Sequence, residues 1–372
     1  MEIILIINII VIILSIISII LLLYKIPYIS NDVVLKDDEL KISVIIPARN
    51  EEFRISTLLE SLNKQNFKNF ELIVVDDSSE DKTSVLSKNH GAKVINLKKL
   101  PKGWTGKTWA CWNGALAAKG TILIFLDADT KLNKNGLENM ISEFLLNYKE
   151  GALSIQPHHS VKKLYENFSV IFNIVVMIGM NVFSLFGNKL KPKGSFGSCL
   201  IIGKNAYLKI GGHKAVNTEI LEDMAIGINL LKNKLPLGCI SGKGTISFKM
   251  YSEGIGELIN GWSKNFASGA KYTSKLNTLL LSIWFTGGIC SIILLFIAIF
   301  SQSILLIVSS IIFYLIYALV FILKGRSIGD FNIFFLFMFP IPLIFFIIIF
   351  LRSILLVKFK HNVDWKGRKI DL

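Results

Sequence analysis

The sequence predicts an α/β protein in which a mostly parallel sheet is flanked by helices, with transmembrane α-helices at both ends. Three observations lead to this prediction. Long apolar runs lie near both ends of the 372-residue chain. Between them, short runs rich in β-branched residues follow one another, as in strands. Helix-compatible stretches separate these runs, and such alternation favours a parallel sheet with helices on both faces.

The composition favours a membrane-attached protein over one that binds nucleic acid. Hydrophobic residues make up 52% of the chain, yet the formal net charge is +14. A basic excess in an apolar chain suits the anionic cytoplasmic face of a membrane. The Lys and Arg residues are scattered and many flank apolar runs, so nucleic acid is not the expected partner. No C-x-x-C pair occurs, so the four cysteines predict neither a zinc site nor a disulfide framework.

The first apolar run, Ile3–Leu23, is long enough to cross the hydrocarbon core of a bilayer, which takes about 20 residues. No small-residue cleavage site is obvious, so we expect an uncleaved anchor over residues 1–24. Lys25 follows the run and no positive residue precedes it. This bias places the amino terminus outside and the next domain in the cytoplasm. We therefore expect a multi-pass protein of the plasma membrane with its soluble domain inside.

Residues 276–356 carry further apolar runs and predict the carboxy-terminal membrane segments. Leu276–Phe300 and Ile304–Leu323 are expected to form a hairpin that returns to the cytoplasm. The third run, Phe331–Leu356, holds the prolines of FPIPL, which favour a re-entrant hairpin. Its topology stays open. The basic tail 357–372 is also expected inside, but an odd number of crossings after the hairpin would place the tail outside.

One more apolar stretch, Phe168–Phe186, lies within the soluble domain predicted at 40–275. Asn and Gly residues interrupt it, so we expect a helix near 168–187 that lies in the membrane interface. Lys189, Lys191 and Lys193 would then contact the headgroups. A buried core helix is the alternative.

The strand-like runs of the soluble domain are ISVIIP (42–47), FELIVVDD (70–77), AKVINL (92–97) and TILIFLDAD (121–129). A helix-like stretch, Thr108–Lys119, separates the last two. The polar clusters PARNEE, DDSSED and DADT follow the first, second and fourth runs. Ligands of parallel sheets bind beyond the carboxyl ends of the strands, so the three clusters should converge on one crevice.

Asp127 and Asp129 follow the fourth run directly. Residues i and i+2 of an extended chain point the same way, so both carboxylates would face the crevice and need a compensating cation. Mg²⁺ and Mn²⁺ take oxygen ligands and often bridge to phosphates. The pair therefore predicts a metal site that holds a diphosphate, with a solvated turn or a helix cap as the alternative.

Other polar residues near the crevice have two explanations each. Asp76 and Asp77 can accept hydrogen bonds from a base or ribose, or cap the next helix. Lys107 in GWTGKT can offer a point charge to phosphate, or be a solvated surface lysine. The first glycine of a Walker motif would fall at Pro101, and no G-x-G-x-x-G follows the first run, so neither phosphate-binding fingerprint is present.

Glu222 and Asp223 open a helix-like amphipathic stretch. Carboxylates in a first turn are favoured by the helix dipole, which is one explanation for them. The other makes Asp223 a general base that takes a proton from an acceptor hydroxyl as it attacks a sugar carbon.

Together, PARNEE, VVDDSS, FLDADT, LEDM and GGH at 211–213 resemble the family 2 glycosyltransferases, which have the GT-A fold. The resemblance covers roughly Ile42 to Ser274. It implies inverting transfer of a sugar from a nucleotide sugar, with UDP-sugar as the expected donor, by direct displacement. Asp127 and Asp129 match the D-x-D pair of that family, and Asp223 matches its catalytic base with Glu222 beside it. Nucleotide contacts are implied for Pro47, Glu51, Asp77 and Asp127, with Arg49, Asp76 and Lys107 as neighbouring candidates.

LPKGWTGKTWACWNGA and WKGRK resemble a narrower group that includes carotenoid-acid and hopanoid-associated glycosyltransferases, which are membrane enzymes. This implies a membrane-lipid or polyisoprenoid-type acceptor. Polysaccharide synthases carry a Q-x-x-R-W pattern, which is missing here and whose place is taken by GWSKNFASGA. Trp262 and Lys264 in that stretch are candidate acceptor contacts. A processive synthase and a non-catalytic nucleotide-sugar binder remain the alternatives.

Overall fold

The structure is a computed structural model that describes residues 2–29, 40–219, 221–270, 273–359, 362–365 and 368–371. Its chain divides into two compact units. The first unit comprises residues 1–26, 159–191 and 251–359. The second unit comprises residues 27–158, 192–250 and 360–372.

The helices, in chain order, are α1 (Glu2–Leu22), α2 (Glu52–Asn63), α3 (Thr83–Asn89), α4 (Gly106–Ala117), α5 (Gly136–Asn147), α6 (Val170–Gly179), α7 (Lys204–Lys209), α8 (Glu222–Lys232), α9 (Ile255–Ala270), α10 (Lys275–Ile299), α11 (Ile304–Ile328), α12 (Ile333–Phe337) and α13 (Pro340–Phe359). The strands are β1 (Ile42–Ala48), β2 (Phe70–Asp76), β3 (Lys93–Asn96), β4 (Ile122–Leu126), β5 (Thr130–Leu132), β6 (Ala152–Gln156), β7 (His158–His159), β8 (Cys199–Gly203), β9 (Leu237–Ser241), β10 (Ile246–Phe248), β11 (Asn362–Trp365) and β12 (Arg368–Asp371).

The second unit is built on a seven-stranded mixed sheet in the order β3-β2-β1-β4-β8-β6-β9. β1 pairs in parallel with β2 and β4, β2 with β3, and β6 with β9. β8 alone runs antiparallel to its neighbours in this sheet, β4 and β6. The four predicted strands are therefore present and neighbouring, and the predicted fold, a mostly parallel sheet flanked by helices, is confirmed.

Helices α2 and α5 cover one face of this sheet through apolar side chains. Leu58 and Leu62 of α2 and Met140 of α5 are fully buried in the same cluster as Val44 and Ile124 of the central strands. Burying each such side chain stabilises the fold by about 1.5–3 kcal/mol. The central strands are buried on both faces, which explains why they read as continuous apolar runs without alternation.

The first unit consists mainly of long apolar helices. Helices α10 and α11, each 25 residues long, are long and apolar enough to cross a membrane. α1 packs along α10, where a Cβ at Gly287 would collide with the side chain of Ser15. Large apolar side chains on these helices face outward, including Phe296 at 62% exposure and Leu305 at 74%. Exposed apolar surface of this extent marks an interaction site, here consistent with lipid.

The third carboxy-terminal run forms a short helix and a long one. α12 ends at Phe337, and the twenty-residue α13 begins at Pro340. Proline is tolerated at the start of a helix because its missing N–H would have no intrahelical partner there. The break therefore falls before the first proline of FPIPL, and α13 continues through the second.

The apolar stretch predicted near 168–187 forms α6, which spans ten residues. Seven of these ten are buried, and α6 packs against α10, α11 and α13. Protein therefore covers most of its surface, which is what the buried-helix alternative describes. Its location in the membrane interface stays a prediction.

Candidate active site

The polar segments that follow β1, β2 and β4 lie at one edge of the large sheet, but only those after β1 and β4 contribute residues to the cavity that Lys107 lines. β1, β2 and β4 are parallel, so their carboxyl ends meet there. β8 is antiparallel to β4, so its amino end lies at the same edge, where Asp127 N donates to Ser198 O at 3.1 Å. The loop before β8 is thus placed beside the residues that follow β4.

Lys107 lies between two carboxylates at this edge. Its Nζ is 2.8 Å from Asp127 Oδ1 and 3.0 Å from Glu222 Oε1, and it donates to Gly197 O at 3.4 Å. Burial acts to lower the pKa of Lys107, but the charges of Asp127, Glu222 and Asp223 outweigh it and hold this pKa well above its usual value. Lys107 is therefore a charged, ion-paired residue of the site and not a solvated surface lysine.

These residues line a cavity of about 20 Å³, which has room for roughly one water molecule. Six of the side chains in its wall come from five separate sequence motifs: Pro47, Lys107, Asp127, His213, Glu222 and Asp223. The motifs PARNEE, GWTGKT, FLDADT, GGH and LEDM are thus brought together by the fold.

Asp223 is the second residue of α8, and its environment changes its acidity. Burial and the neighbouring Glu222 raise the pKa of Asp223 to about 7, against the opposing effects of Lys107 and of the Met224 N–H, which donates to Oδ1 at 2.9 Å. A carboxylate with a pKa near 7 is well matched to accept a proton at neutral pH.

Two glycines, Gly194 and Gly227, allow the loop before β8 to approach α8 closely. A Cβ at Gly194 would lie 2.6 Å from Met224 Sδ, and one at Gly227 would collide with the backbone of Gly194 and Ser195. Contacts this short exclude a side chain at these positions. The loop is also tied to α8 directly, because Ser195 Oγ donates to Asp223 O at 2.5 Å.

The D-x-D segment is a turn, which corrects the predicted geometry. β4 ends at Leu126, and the N–H and hydroxyl of Thr130 donate to Asp127 O at 3.1 and 2.8 Å. The chain is therefore not extended at 127–129, and the prediction that Asp127 and Asp129 point the same way by the i and i+2 rule is wrong in its premise. Among the residues that the structure describes, no group of three or more His, Cys, Asp or Glu side chains is arranged to hold a metal ion. A metal here would need further ligands, and diphosphate oxygens and water supply them in many Mg²⁺ sites.

Asp76 and Asp77, the first two residues of the DDSSED segment, make different contacts. Asp76 Oδ1 accepts from Ser79 N at 2.9 Å, so Asp76 closes a local turn and does not cap α3, which begins at Thr83. Asp77 is 3% exposed, and its carbonyl accepts from Arg49 Nη1 at 2.6 Å. Arg49 thus holds the loop after β2, while base recognition by Asp77 stays a prediction.

Hydrogen bonds join the loops after β1 and β2 into one layer. Asn50 N donates to Ser79 Oγ at 2.9 Å, and Glu51 N donates to Thr83 Oγ1 at 2.8 Å. The Glu51 side chain forms an ion pair with Arg54 at 3.1 Å. A nucleotide contact by Glu51 would compete with that ion pair, and this contact stays a prediction.

The cavity also contains a histidine to which the residue patterns gave no role. His213 is 4% exposed, and its Nδ1 is 2.9 Å from the hydroxyl oxygen of Tyr207. Burial and the nearby Lys107 lower the pKa of His213 to about 3, so the imidazole is neutral at physiological pH. Its only sequence signal was its place in the GGH motif.

Trp262 and Lys264, the predicted acceptor contacts, lie on α9 in the first unit. Trp262 is 5% exposed, stacks on Phe172 with ring centroids 4.7 Å apart, and donates to Ser169 Oγ at 3.1 Å. These are the contacts of a packing residue. Lys264 is partly exposed. An acceptor role for either residue stays a prediction.

Similar proteins extend over most of the chain. The family profile described as Glycosyl transferase family 2 matches residues 43–198. The 4,4'-diaponeurosporenoate glycosyltransferase of Staphylococcus aureus is 34% identical over 333 residues, which cover 89% of this chain and 88% of that protein. The protein of the same name from Staphylococcus haemolyticus is 36% identical over 334 residues, with 89% and 88% coverage. Among solved structures, the mannosyltransferase PcManGT from Pyrobaculum calidifontis, in complex with GDP-Man and Mn²⁺, is 16% identical, covers 80% of this chain and 86% of that chain, and superposes with a TM-score of 0.47.

Proposed function

This chain belongs to glycosyl transferase family 2, and we propose that it transfers the sugar of a nucleotide sugar, a UDP-sugar, to a lipid-like acceptor. The observation that carries the proposal is the meeting of Asp127, Glu222 and Asp223 around Lys107 at one cavity. A displacement at a sugar carbon by a hydroxyl group uses a carboxylate on the donor side together with a carboxylate that accepts the hydroxyl proton. The relatives from staphylococci, which are similar over 89% of the chain, support the same reaction class.

The reaction is an inverting displacement at the anomeric carbon. The acceptor oxygen attacks as the bond to the nucleoside diphosphate breaks, and no covalent enzyme intermediate forms. Asp223, with a pKa of about 7, takes the proton of an acceptor hydroxyl. Glu222 Oε1 lies 3.0 Å from Lys107 Nζ and holds this ammonium beside Asp223. The positive charge of Lys107 thereby balances the negative charge of the carboxylates.

A divalent cation, Mg²⁺ or Mn²⁺, would be held by Asp127 and Asp129 together with diphosphate oxygens. The two carboxylates are hard oxygen donors, which fits such an ion. When bound, the cation supplies stabilisation of the negative charge on the leaving diphosphate. Asp127 would have to exchange its contact with Lys107 for the ion, or share its second oxygen.

The nucleotide would lie along the loops after β1 and β2. Asp77 is the candidate for the base, while Pro47, Arg49, Glu51 and Asp76 shape these loops. The hydrogen bonds that lock the two loops together pre-form this surface, which limits the entropy lost on binding.

The names of the relatives indicate what kind of acceptor those proteins use. They are named for diaponeurosporenoate, which is a carboxylate. A carboxylate acceptor is already ionised at neutral pH and needs no base, whereas a hydroxyl acceptor needs Asp223. We therefore propose an apolar acceptor that ends in a carboxyl or hydroxyl group, and the two are separable by the role of Asp223.

The apolar helices support a membrane location. α10 and α11 are candidate spans, and α1 packs along α10 with a largely apolar surface. We propose a multi-pass protein of the plasma membrane whose glycosyltransferase domain, predicted at residues 40–275, lies in the cytoplasm, where the basic residues would face anionic lipid.

Purified chain with Mn²⁺, a set of UDP-sugars and a membrane lipid extract tests the proposal. We expect UDP release together with a lipid that has gained one sugar. A product ladder of many sugars would indicate a processive synthase instead. Tight UDP binding with no turnover on any donor or lipid would indicate a non-catalytic binder.

A further inference from the structure

We infer that the GWTGKT segment, residues 103–108, is a clamp that fixes the amino end of α8 against the end of β4, with Lys107 as its positioning residue. The inference rests on the proposed function only in taking Asp223 as the group whose placement matters. A clamp would explain why this segment resembles the end of a phosphate loop but lacks the first glycine of that loop.

The two threonines of the segment hold the chain that leads into α8. Thr105 N donates to Asn217 O at 2.8 Å, and the Thr108 hydroxyl, shared between two acceptors, lies 3.0 Å from both Asn217 O and Thr105 O. Thr105 Oγ1 also accepts from Thr108 N at 3.3 Å, which caps α4. Thr108 is fully buried. The amino end of α4 is thereby attached to the carbonyl of Asn217, which lies five residues before Glu222 at the start of α8.

Lys107 makes the second attachment. Its Nζ joins Glu222, the first residue of α8, to Asp127, the first residue after β4, at 3.0 and 2.8 Å. The Glu222 side chain is 9% exposed, so without the ammonium its charge would be buried and uncompensated. Removing one partner of such a pair is costly for that reason.

The ammonium has no donor left for a phosphate in this arrangement. A lysine ammonium has three N–H donors. Three acceptors, from Asp127, Glu222 and the Gly197 carbonyl, lie within reach of the ammonium, one for each donor. A phosphate contact would require one of these partners to be released. The structure therefore assigns Lys107 to the carboxylates, which differs from the phosphate-binding role expected from the sequence.

The two roles predict different kinetics. If Lys107 positions α8, Lys107→Met misplaces Asp223 and lowers kcat by about 100-fold, because displacements of about 1 Å can cost that much. The affinity for UDP then stays within about two-fold. If Lys107 binds the diphosphate, the same variant weakens UDP binding and raises the KM for the donor.

The test compares Lys107→Met with Lys107→Arg and with Lys102→Met, which removes the same charge from an exposed position of the same loop. UDP affinity is measured by calorimetry, and kcat and KM by UDP release with a lipid acceptor that ends in a hydroxyl group, because only this acceptor class requires Asp223 as base. Lys107→Arg should recover at least about tenfold of the lost kcat, because a guanidinium can bridge two carboxylates. Lys102→Met should match the wild type.

Thr108→Val extends the test without changing charge. It removes the bond to Asn217 O at nearly constant volume, and we expect a lower kcat, by about tenfold, with unchanged UDP affinity. If Lys107→Met does not fold, the kcat and UDP affinity of Thr108→Val test the inference in its place. Loss of UDP affinity in Lys107→Met, or normal kcat in both variants, would overturn the inference. A wild-type chain with no activity would instead refute the proposed function.

Discussion

Gly197 and Asp223 are placed so that a Cβ on the glycine would lie 2.6 Å from the carboxylate oxygen Oδ2. No real Cβ sits this close to an oxygen, so the absence of a side chain at Gly197 is what allows Asp223 its position at the cavity. Gly197, two residues before β8, therefore sets where the proposed base points.

Gly197→Ala should displace the Asp223 carboxylate and lower kcat by about 100-fold, with UDP affinity unchanged. Gly203→Ala is the matched control at the other end of β8, since a Cβ there would lie 3.6 Å from its nearest neighbour, Lys149 O. Steady-state kinetics with a hydroxyl acceptor and calorimetry with UDP check both variants. Equal activity of the two variants would show that the position of Asp223 is not critical.

The pH dependence of transfer should report Asp223 when the acceptor is a hydroxyl. The pKa of Asp223 is raised to about 7 by burial and by Glu222, and a base works only when deprotonated. Activity should therefore be full above pH 7 and fall about tenfold per unit well below it. A profile of kcat against pH that stays flat from 5.5 to 8 with a hydroxyl acceptor would contradict this role.

Asp223→Asn should separate the two acceptor classes. With a hydroxyl acceptor we expect turnover to fall by about 100- to 10,000-fold, because a positioned base is lost. With a carboxylate acceptor no proton has to be removed, so turnover should fall far less. UDP affinity, measured by calorimetry, should be intact in both cases. Near-wild-type turnover with a hydroxyl acceptor would end the assignment of Asp223 as base.

Asp129→Asn should weaken UDP binding only when Mn²⁺ is present. The amide keeps the size of the side chain but removes the charge that would attract the cation. Glu80→Gln, at an exposed position, is the control. Calorimetry with and without Mn²⁺ checks the expectation. A loss of UDP affinity that is the same in EDTA would show that Asp129 acts without a metal.

Much of the fold could be predicted, because it rests on local pattern. The buried strands β1, β2 and β4 are continuous apolar runs, and the helices between them have their own signals. The family was also predicted from motifs at the strand ends, and that prediction is confirmed by the relatives. Parallel topology explains why Pro47 and Asp127 share one cavity.

The rest depends on tertiary contacts that no local pattern specifies. Lys107 reaches Glu222 across 115 positions of sequence, so its ion pairs could not be distinguished from solvation. The i and i+2 rule failed at Asp127 because Thr130 turns the chain immediately after β4. The need for a glycine at position 197 has no local signal either, because the side chain that approaches it, Asp223, comes from α8.

The central claim is tested most directly by mass spectrometry of lipids from membranes incubated with UDP-sugars and either the wild-type chain or a double variant, Asp127→Asn with Asp223→Asn. We predict that the wild type produces lipids heavier by a single sugar residue and that the double variant produces none. If no lipid gains a sugar with any UDP-sugar, or if the double variant makes the same products, the account is wrong.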